Sequence, residues 1–294
     1  MPSNIGEAML AEAWAIARKG VVAFIEDDAL SRGAAIAFYA VTGFVPALIV
    51  AVTLLSAVFD KPLIHGVIAR ALTILLGHEG RAMAVIAIKN ATGSSNRLGA
   101  ELIGAAILVV TASGAFSEIQ TALNVIWNVR TAGLTFLHFL RARLTSLLLV
   151  VSLGVILLAS ILVTAGIAAW APHLHFESSA SGTWYVAVNF VVSFLLSSVL
   201  FAAIYKVLPD IDLKWSDVIV GGAVTALLYE LGQVLISVYL QSRTSLAGYG
   251  ATGGMIIMLL WIYYSAQVFL LGAELTKAYA TRRTAPARQP QPAE

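Results

Sequence analysis

The chain has 294 residues, of which 59% are hydrophobic and only 12% are charged, and its mean hydropathy is +0.87. An average soluble domain carries about 25% charged residues, so this chain lacks the polar surface that a water-exposed globule of its length needs. The net charge of +2, from scattered basic residues, argues against a nucleic-acid-binding surface, and the absence of cysteine excludes disulfides and thiolate metal sites.

Residues 1–33 lack the order of a cleavable signal peptide, in which a basic stretch precedes an apolar one. Glu7, Glu12, Arg18 and Lys19 alternate with apolar residues, and an acidic run follows at residues 26–28. We predict that residues 1–33 form an amphipathic segment in the cytoplasm.

Six stretches are long and apolar enough to cross a hydrocarbon core about 30 Å thick, which takes roughly 20 residues of helix. None alternates as a transmembrane β-strand does. The sequence therefore predicts an all-α membrane protein, with a bundle of about six transmembrane helices in residues 34–278. The predicted spans are Ala34 to Phe59, Ala100 to Leu123, Leu144 to Ala171, Trp184 to Leu208, Val218 to Leu240, and Thr252 to Ala278.

Three further features accompany these spans. Pro46 lies inside the first span, where we expect it to kink the helix. The connection to the second span has apolar residues at helical spacing between Ile64 and Leu75, which predicts a short amphipathic helix on the membrane surface. The tail at residues 279–294 is rich in Pro, Arg, Gln and Ala, and we predict that it is disordered.

The distribution of basic residues predicts the orientation. With a cytoplasmic N-terminus, most of the 18 Lys and Arg residues fall in the inner segments. Most of the others fall in the long first outer loop, where the positive-inside rule is weaker. Both termini are therefore predicted to be cytoplasmic.

Four passages, in this order and at this spacing, resemble the YihY/virulence factor BrkB family of bacterial inner-membrane proteins. The resemblance covers residues 20 to 280, nearly the whole chain. The passages are AIAFY at 35–39 with FVP at 44–46; EIQTALNVIW at 118–127; YKVLPD at 205–210; and YGA at 249–251 with LWIYY at 260–264 and LGAEL at 271–275.

This resemblance implies a six-helix protein of the bacterial inner membrane whose molecular activity is not established. Members have often carried the label ribonuclease BN, which is usually regarded as a mistaken transfer from a soluble metal-dependent nuclease. The family name also links its members to virulence, which suggests a role in the cell envelope or in transport.

Ionisable residues inside spans are costly, so they are the first functional candidates. Helical spacing places polar residues on one face of each of three spans. For the amides we favour hydrogen bonding between helices, whereas for the carboxylates a structural role and a functional pathway both stay open, with Glu230 the deepest of them. These stripes predict one interior polar site formed by Glu118, Gln120, Asn124, Glu230, Gln233, Tyr264, Gln267 and Glu274.

Small residues cluster in the last two predicted spans, where they favour close approach of helices. A phosphate-binding loop is a poor alternative, because the glycines follow no strand and the Walker lysine is missing. The clustered glycines are Gly221, Gly222, Gly250, Gly253 and Gly254.

A hydrolytic metal centre needs several convergent ligands. His173 and His175 are the closest pair of histidines in the sequence, they lie in a predicted outer loop, and Glu177 alone does not complete a site. We predict no catalytic residues, no metal and no cofactor.

Three functional hypotheses follow. The leading one is a non-enzymatic inner-membrane protein that binds or moves a lipid or other small solute, with membrane lipids as its surroundings and no nucleic acid as a partner. The alternative is a scaffold that recruits partners through basic cytoplasmic segments and the surface helix. A membrane-bound ribonuclease ranks last, and oligomerisation stays open.

Overall fold

The protein is helical throughout the parts that the structure, a computed structural model, describes: residues 3–55, 97–129, 180–241 and 250–284. The all-α prediction is confirmed. The third predicted span, the surface helix and the end of the tail lie outside these ranges. The helices are α1 (Ser3–Glu26), α2 (Ala29–Leu55), α3 (Arg97–Ile126), α4 (Ala180–Val207), α5 (Trp215–Gln241) and α6 (Gly250–Thr284).

Four of the described helices are long and apolar enough to cross a membrane, and they match the second, fourth, fifth and sixth predicted spans. Helix α2 covers the first predicted span as far as Leu55 and continues through Pro46. Helix α6 continues past residue 278, where we placed the end of the membrane domain, to Thr284. The candidate spans are Leu102–Ile126, Phe190–Val207, Trp215–Leu235 and Met258–Arg283.

Helix α5 has one buried face and one exposed face, and apolar residues lie on both. Val218, Thr225 and Glu230 are buried, whereas Leu227 and Leu231 are largely exposed. A soluble helix would carry polar residues on its exposed face. Because this face is apolar instead, its natural surroundings are lipid tails.

Two turns end helices in the same way. Asp28, between α1 and α2, and Asn128, after α3, have φ angles of 54° and 53°. At α3 the amides of Asn128 and Val129 donate to the carbonyls of Val125 and Asn124, at 2.9 and 2.8 Å. Asn and Asp tolerate this left-handed conformation better than most residues, so both helices stop where the sequence provides one of them.

The chain is divided into two compact units, whose boundaries fall inside α2, α3, α5 and α6. Unit 1 comprises Met1–Ala29, Thr121–Leu231 and Val268–Glu294, and unit 2 comprises Leu30–Gln120 and Gly232–Gln267. The predicted division at residues 33 and 278 follows membrane topology rather than packing, and it stays a prediction.

Helix α1 packs along α6 within unit 1. A Cβ placed on Gly20 would lie 2.6 Å from Cδ2 of Leu275, so the two helices are in close contact there. Further along, Arg282 forms an ion pair with Glu12 at 3.9 Å. The other face of α1 is apolar and exposed, with Trp14 at 72%. Helix α1 thus contacts α6 on one face and exposes apolar side chains on another, while the prediction that residues 1–33 form an amphipathic cytoplasmic segment stays a prediction.

Candidate functional site

Glu230 is a buried carboxylate inside the candidate span Trp215–Leu235. Its side chain is only 9% exposed, on the buried face of α5. Ser193 of α4 donates a hydrogen bond from Oγ to Glu230 Oε1 at 2.7 Å. In the described part of the chain this neutral hydroxyl is the polar partner of Glu230, and no basic side chain pairs with it. A negative charge here would be held by one weak donor.

Three helices of unit 1 meet around Tyr205, which is fully buried. Its hydroxyl donates to the Phe269 carbonyl of α6 at 2.7 Å and lies 3.0 Å from Thr225 Oγ1 of α5. Thr225 in turn donates to the carbonyl of Gly221 at 2.8 Å. We call Tyr205, Thr225, Thr276, Gly221 and Gly272 the hydroxyl core.

The glycines of the hydroxyl core make this packing possible. A Cβ on Gly272 would collide with Thr225 Oγ1 and would lie 2.6 Å from the Tyr205 hydroxyl, and a Cβ on Gly221 would collide with Thr276. Thr276 satisfies its own hydroxyl by donating to the Gly272 carbonyl at 2.6 Å. The helices approach so closely that only hydrogen fits at these two positions.

Gly222 makes a separate contact, with α4. A Cβ there would lie 2.6 Å from the carbonyl oxygen of Ser198 and 2.8 Å from the backbone nitrogen of Ala202. Gly250, Gly253 and Gly254 lie in the first turns of α6, and their surroundings are outside the described contacts.

Glu274 is the most deeply buried of the predicted carboxylates, at 1% exposed. Neither of its oxygens receives a hydrogen bond from any group in the described ranges. The carboxyl group of Asp27, in the turn after α1, lies within interaction range of it, as do Glu26 and Lys277. We call Asp27 and Glu274 the carboxyl pair.

The two carboxylates of unit 1 are not neighbours. Gly221 faces Thr276 and Gly272 faces Thr225, so α5 and α6 run antiparallel with a fixed register. This register puts Glu274 level with residue 223, about seven residues from Glu230. At 1.5 Å per residue the separation along the helix is roughly 10 Å. Within unit 1 the structure thus presents two separate carboxyl sites.

Asn124 has a defined structural role at the end of α3. Its side-chain amide donates to Asp210 Oδ2 at 2.8 Å, and its oxygen accepts from the Asp210 amide at 2.9 Å. Beside it, Lys206 donates to the Leu213 carbonyl at 2.6 Å and pairs with Asp212 at 3.5 Å. These bonds fix the connection between α4 and α5, which carries the YKVLPD passage.

Unit 2 holds the other predicted positions. Glu118 forms an ion pair with Arg32 at 3.5 Å, with about a quarter of each side chain exposed. Gln267 donates to the Leu30 carbonyl at 3.2 Å, and a Cβ on Gly33 would collide with its amide. The remaining predicted site residues in unit 2 are half-buried: Gln120, Gln233 and Tyr264. Of these, Tyr264 contacts Gly232.

The eight predicted site residues are therefore divided between the two units, and the single interior site that we predicted stays a prediction. Helical spacing placed polar residues on shared faces, but it gave no signal for their partners. Spacing alone did not single out Ser193, Asp210, Tyr205 or Asp27, because each faces its partner from a different helix or turn.

Metal binding finds no support in the described ranges, which contain no group of three or more His, Asp or Glu side chains placed to hold an ion. His173, His175 and Glu177 lie outside these ranges. The absence of a metal centre and of catalytic residues stays a prediction.

Comparison with known proteins gives a consistent result. The sequence profile of the family described as virulence factor BrkB matches residues 21–294. A relative from Coxiella burnetii strain RSA 493, named a UPF0761 membrane protein, is 30% identical over 265 residues, which are 87% of this chain and 90% of the relative. No solved structure matches the chain.

Two other relatives match over a shorter stretch. The UPF0761 membrane protein VV0203 of Vibrio vulnificus strain YJ016 is 31% identical over 182 residues, or 61% of this chain and 56% of that protein. A UPF0761 membrane protein of Yersinia pestis strain Pestoides F is 29% identical over 187 residues, or 62% of this chain and 60% of that protein. The matched part thus spans a little over half the length of these two relatives.

Proposed function

The chain belongs to the virulence factor BrkB family of membrane proteins, and from this premise we propose that it is a non-enzymatic protein that binds or moves a lipid or another small solute. Glu230 carries this proposal. It is a buried carboxylate inside the apolar candidate span Trp215–Leu235, with a serine hydroxyl as its partner.

Placing a carboxylate inside a membrane span is costly. A charged side chain at the bilayer centre costs at least about 2.5 kcal/mol on insertion scales, and one neutral hydrogen bond recovers about 0.6 kcal/mol on average. A purely structural role would be served at lower cost by an amide or a hydroxyl. The carboxylate is better explained by a transient partner that carries a positive charge or hydrogen-bond donors.

The hydrogen bonding of Glu230 limits the kinds of ligand that it could bind. Ser193 donates to one oxygen of Glu230, and a carboxylate has further lone pairs to offer. An ammonium-bearing lipid head group, or a solute with hydroxyl or amino groups, would complete the site. The exposed apolar residues next to it on α5, Leu227 and Leu231, suit a ligand that enters from the lipid phase.

The test uses fluorescently labelled phosphatidylethanolamine in vesicles of phosphatidylethanolamine and phosphatidylglycerol. Reconstituted wild-type protein is expected to raise the rate of lipid movement between leaflets several-fold over protein-free vesicles, measured by dithionite quenching. Glu230→Gln keeps the shape and the hydrogen bond but removes the charge, so it should return the rate to that of protein-free vesicles. Asp212→Asn, at an exposed side chain in a connecting turn, is the matched control.

Complementation of a deletion strain extends the test to solutes other than lipids. Glu230→Gln should insert and fold normally and yet fail to complement. If Gln behaves like Glu and only Glu230→Leu disturbs assembly, the residue is structural. Full activity of both variants would remove the basis of the proposal.

The scaffold alternative depends on basic segments that are free to recruit partners. Three of these basic residues form ion pairs with acidic residues of the same chain. Arg283 pairs with Asp217 at 3.0 Å, Arg282 with Glu12, and Lys206 with Asp212. This favours the solute-binding proposal over the scaffold.

The nuclease hypothesis ranks last, because the relatives are named as membrane proteins rather than as enzymes. Purified protein should show no RNA cleavage after stringent removal of contaminating nucleases. Cleavage that is sensitive to a chelator, and that changing His173, His175 or Glu177 abolishes, would revive that hypothesis.

We further propose that the protein resides in the bacterial inner membrane with both termini in the cytoplasm. The bacterial sources of the relatives support the bacterial location. The distribution of basic residues supports the orientation. Reporter fusions after Thr183 should report an outer location, and fusions after Arg143 and at Glu294 an inner one. Termini on opposite sides would contradict the orientation.

A further inference from the structure

Glu274 of the carboxyl pair differs from the buried hydroxyls around it in unit 1. Glu274 is 1% exposed and lies inside the candidate span Met258–Arg283. Hydroxyls close by on the same helix and its neighbours all have acceptors within reach. The two oxygens of Glu274, in contrast, have no donor in the described part of the chain.

The turn after α1 places a second carboxyl group against it. Asp27 is held there by its amide, which donates to the Ala23 carbonyl at 2.8 Å, and by the left-handed Asp28 that follows. Ala29, the first residue of α2, is fully buried, and Gly20 contacts Leu275 beside Glu274. The turn thus holds Asp27 close to α6, and its carboxyl group lies within interaction range of Glu274.

The charged groups near Glu274 are mostly negative. Glu26 adds a further negative charge from α1, and Lys277 is the positive group within electrostatic range. Lys277 lies on α6 itself, and it forms no ion pair with Glu274 within the described ranges. The helices that face α6 from the other side, α4 and α5, present the neutral hydroxyls of Tyr205 and Thr225 there.

Two ionised carboxylates side by side in a buried site repel each other, and neither can donate a hydrogen bond. One added proton solves both problems, because the protonated acid donates to the remaining carboxylate and a single charge is left. A divalent metal ion fits less well. Calcium takes 6 to 8 oxygen ligands and magnesium takes six, whereas the described side chains provide no group of three that could hold an ion.

We propose that Asp27 and Glu274 share one exchangeable proton, so that the contact between the α1–α2 turn and α6 is a proton-binding site. The proton joins α1 to α6. Its loss leaves two negative charges face to face and weakens that contact. If the chain moves a solute, this proton is the ion available to drive the movement; only this last step rests on the proposed function.

Infrared difference spectroscopy on the purified full-length protein in lipid nanodiscs tests the site without any solute. At neutral pH the wild type should show the carbonyl band of a protonated carboxyl group, which shifts in heavy water and disappears as the pH is raised. Glu274→Gln should lose this band. Asp27→Asn should also lose it, because the amide supplies the donor that the proton supplied before. This second variant changes a turn outside the spans and guards against misfolding of the first.

Asp217→Asn is the matched control. Asp217 is buried like Glu274, but Arg283 pairs with it at 3.0 Å, so the band should be unchanged in this variant. A band that persists in both Glu274→Gln and Asp27→Asn would overturn the proposal. So would a band that appears only in sodium-free buffer, which would identify the site as one for a metal cation. Failure to move a lipid or solute would leave the spectroscopic result intact.

Discussion

The hydroxyl core and the carboxyl pair lie on the same stretch of α6 and solve the problem of buried polarity in opposite ways. Around Tyr205 each hydroxyl donates to an acceptor on its own or a neighbouring helix. At Glu274 two acceptors face each other. The first arrangement is complete without any further atom, and it serves to fix the helices. The second needs a hydrogen from outside, so it can respond to conditions.

The largest effect is expected from filling the hydroxyl core. Gly272→Val would drive a side chain into Thr225 and Tyr205, and the three helices could not reach their present separation. We expect little or no folded protein by fluorescence-detected size-exclusion chromatography. Gly104→Val on α3 is the control, since nothing lies within 4 Å of the position of its Cβ. A normal yield of Gly272→Val would show that the helices are not tightly packed here.

A smaller loss is expected when the hydrogen bond is removed but the packing is kept. Tyr205→Phe deletes the donor to the Phe269 carbonyl and should lower the free energy of unfolding by about 1 kcal/mol, equally at all pH values. Chemical denaturation in detergent measures this change in the free energy of unfolding. Tyr263→Phe, at a half-buried tyrosine, is the control and should change little. If the loss of stability in Tyr205→Phe depended on pH, the hydroxyl core would not differ from the carboxyl pair in its response to pH.

The carboxyl pair, in contrast, should make stability depend on pH. The folded pair holds a proton that two separated carboxyls of the unfolded chain release, so the folded state binds more protons at neutral pH. Stability should then fall as the pH rises. Thermal melting of the wild type should shift downward from mildly acidic to alkaline buffer, and Asp27→Asn should flatten that dependence. Parallel curves for the two proteins would count against the shared proton.

The smallest effect is expected at Glu118, a carboxylate that has a basic partner. Its pair with Arg32 is partly exposed, and such pairs contribute from zero to about 1 kcal/mol. Glu118→Gln should therefore change the denaturation midpoint only slightly, and added salt should reduce the difference. A large effect would mean that this ion pair is structurally central in unit 2.

The sequence predicted the helical class, because hydropathy and span length are local properties of the chain, and together they decide whether a helix can cross a bilayer. It also placed Glu230, Asn124 and Glu274 on polar faces, since helical spacing is fixed by geometry. The sequence did not predict which side chains these residues contact. Nothing in the order of residues states that Ser193 faces Glu230, or that Asp27 faces Glu274. Those contacts depend on which helices adjoin and in what register, and Gly221 and Gly272 set that register for α5 and α6.

The hydroxyl core also bears on how the protein is made. Thr225, Thr276 and Ser198 each donate to a carbonyl one turn earlier on their own helix, so these helices can enter the bilayer singly without an unsatisfied hydroxyl. Tyr205 is different, because its acceptor lies on α6, which is translated later. Until α6 arrives, the Tyr205 hydroxyl has Thr225 of α5 as its partner, and its bond to the Phe269 carbonyl is still missing. The hydrogen bonding of Tyr205 is therefore completed only when α6 packs against α4 and α5.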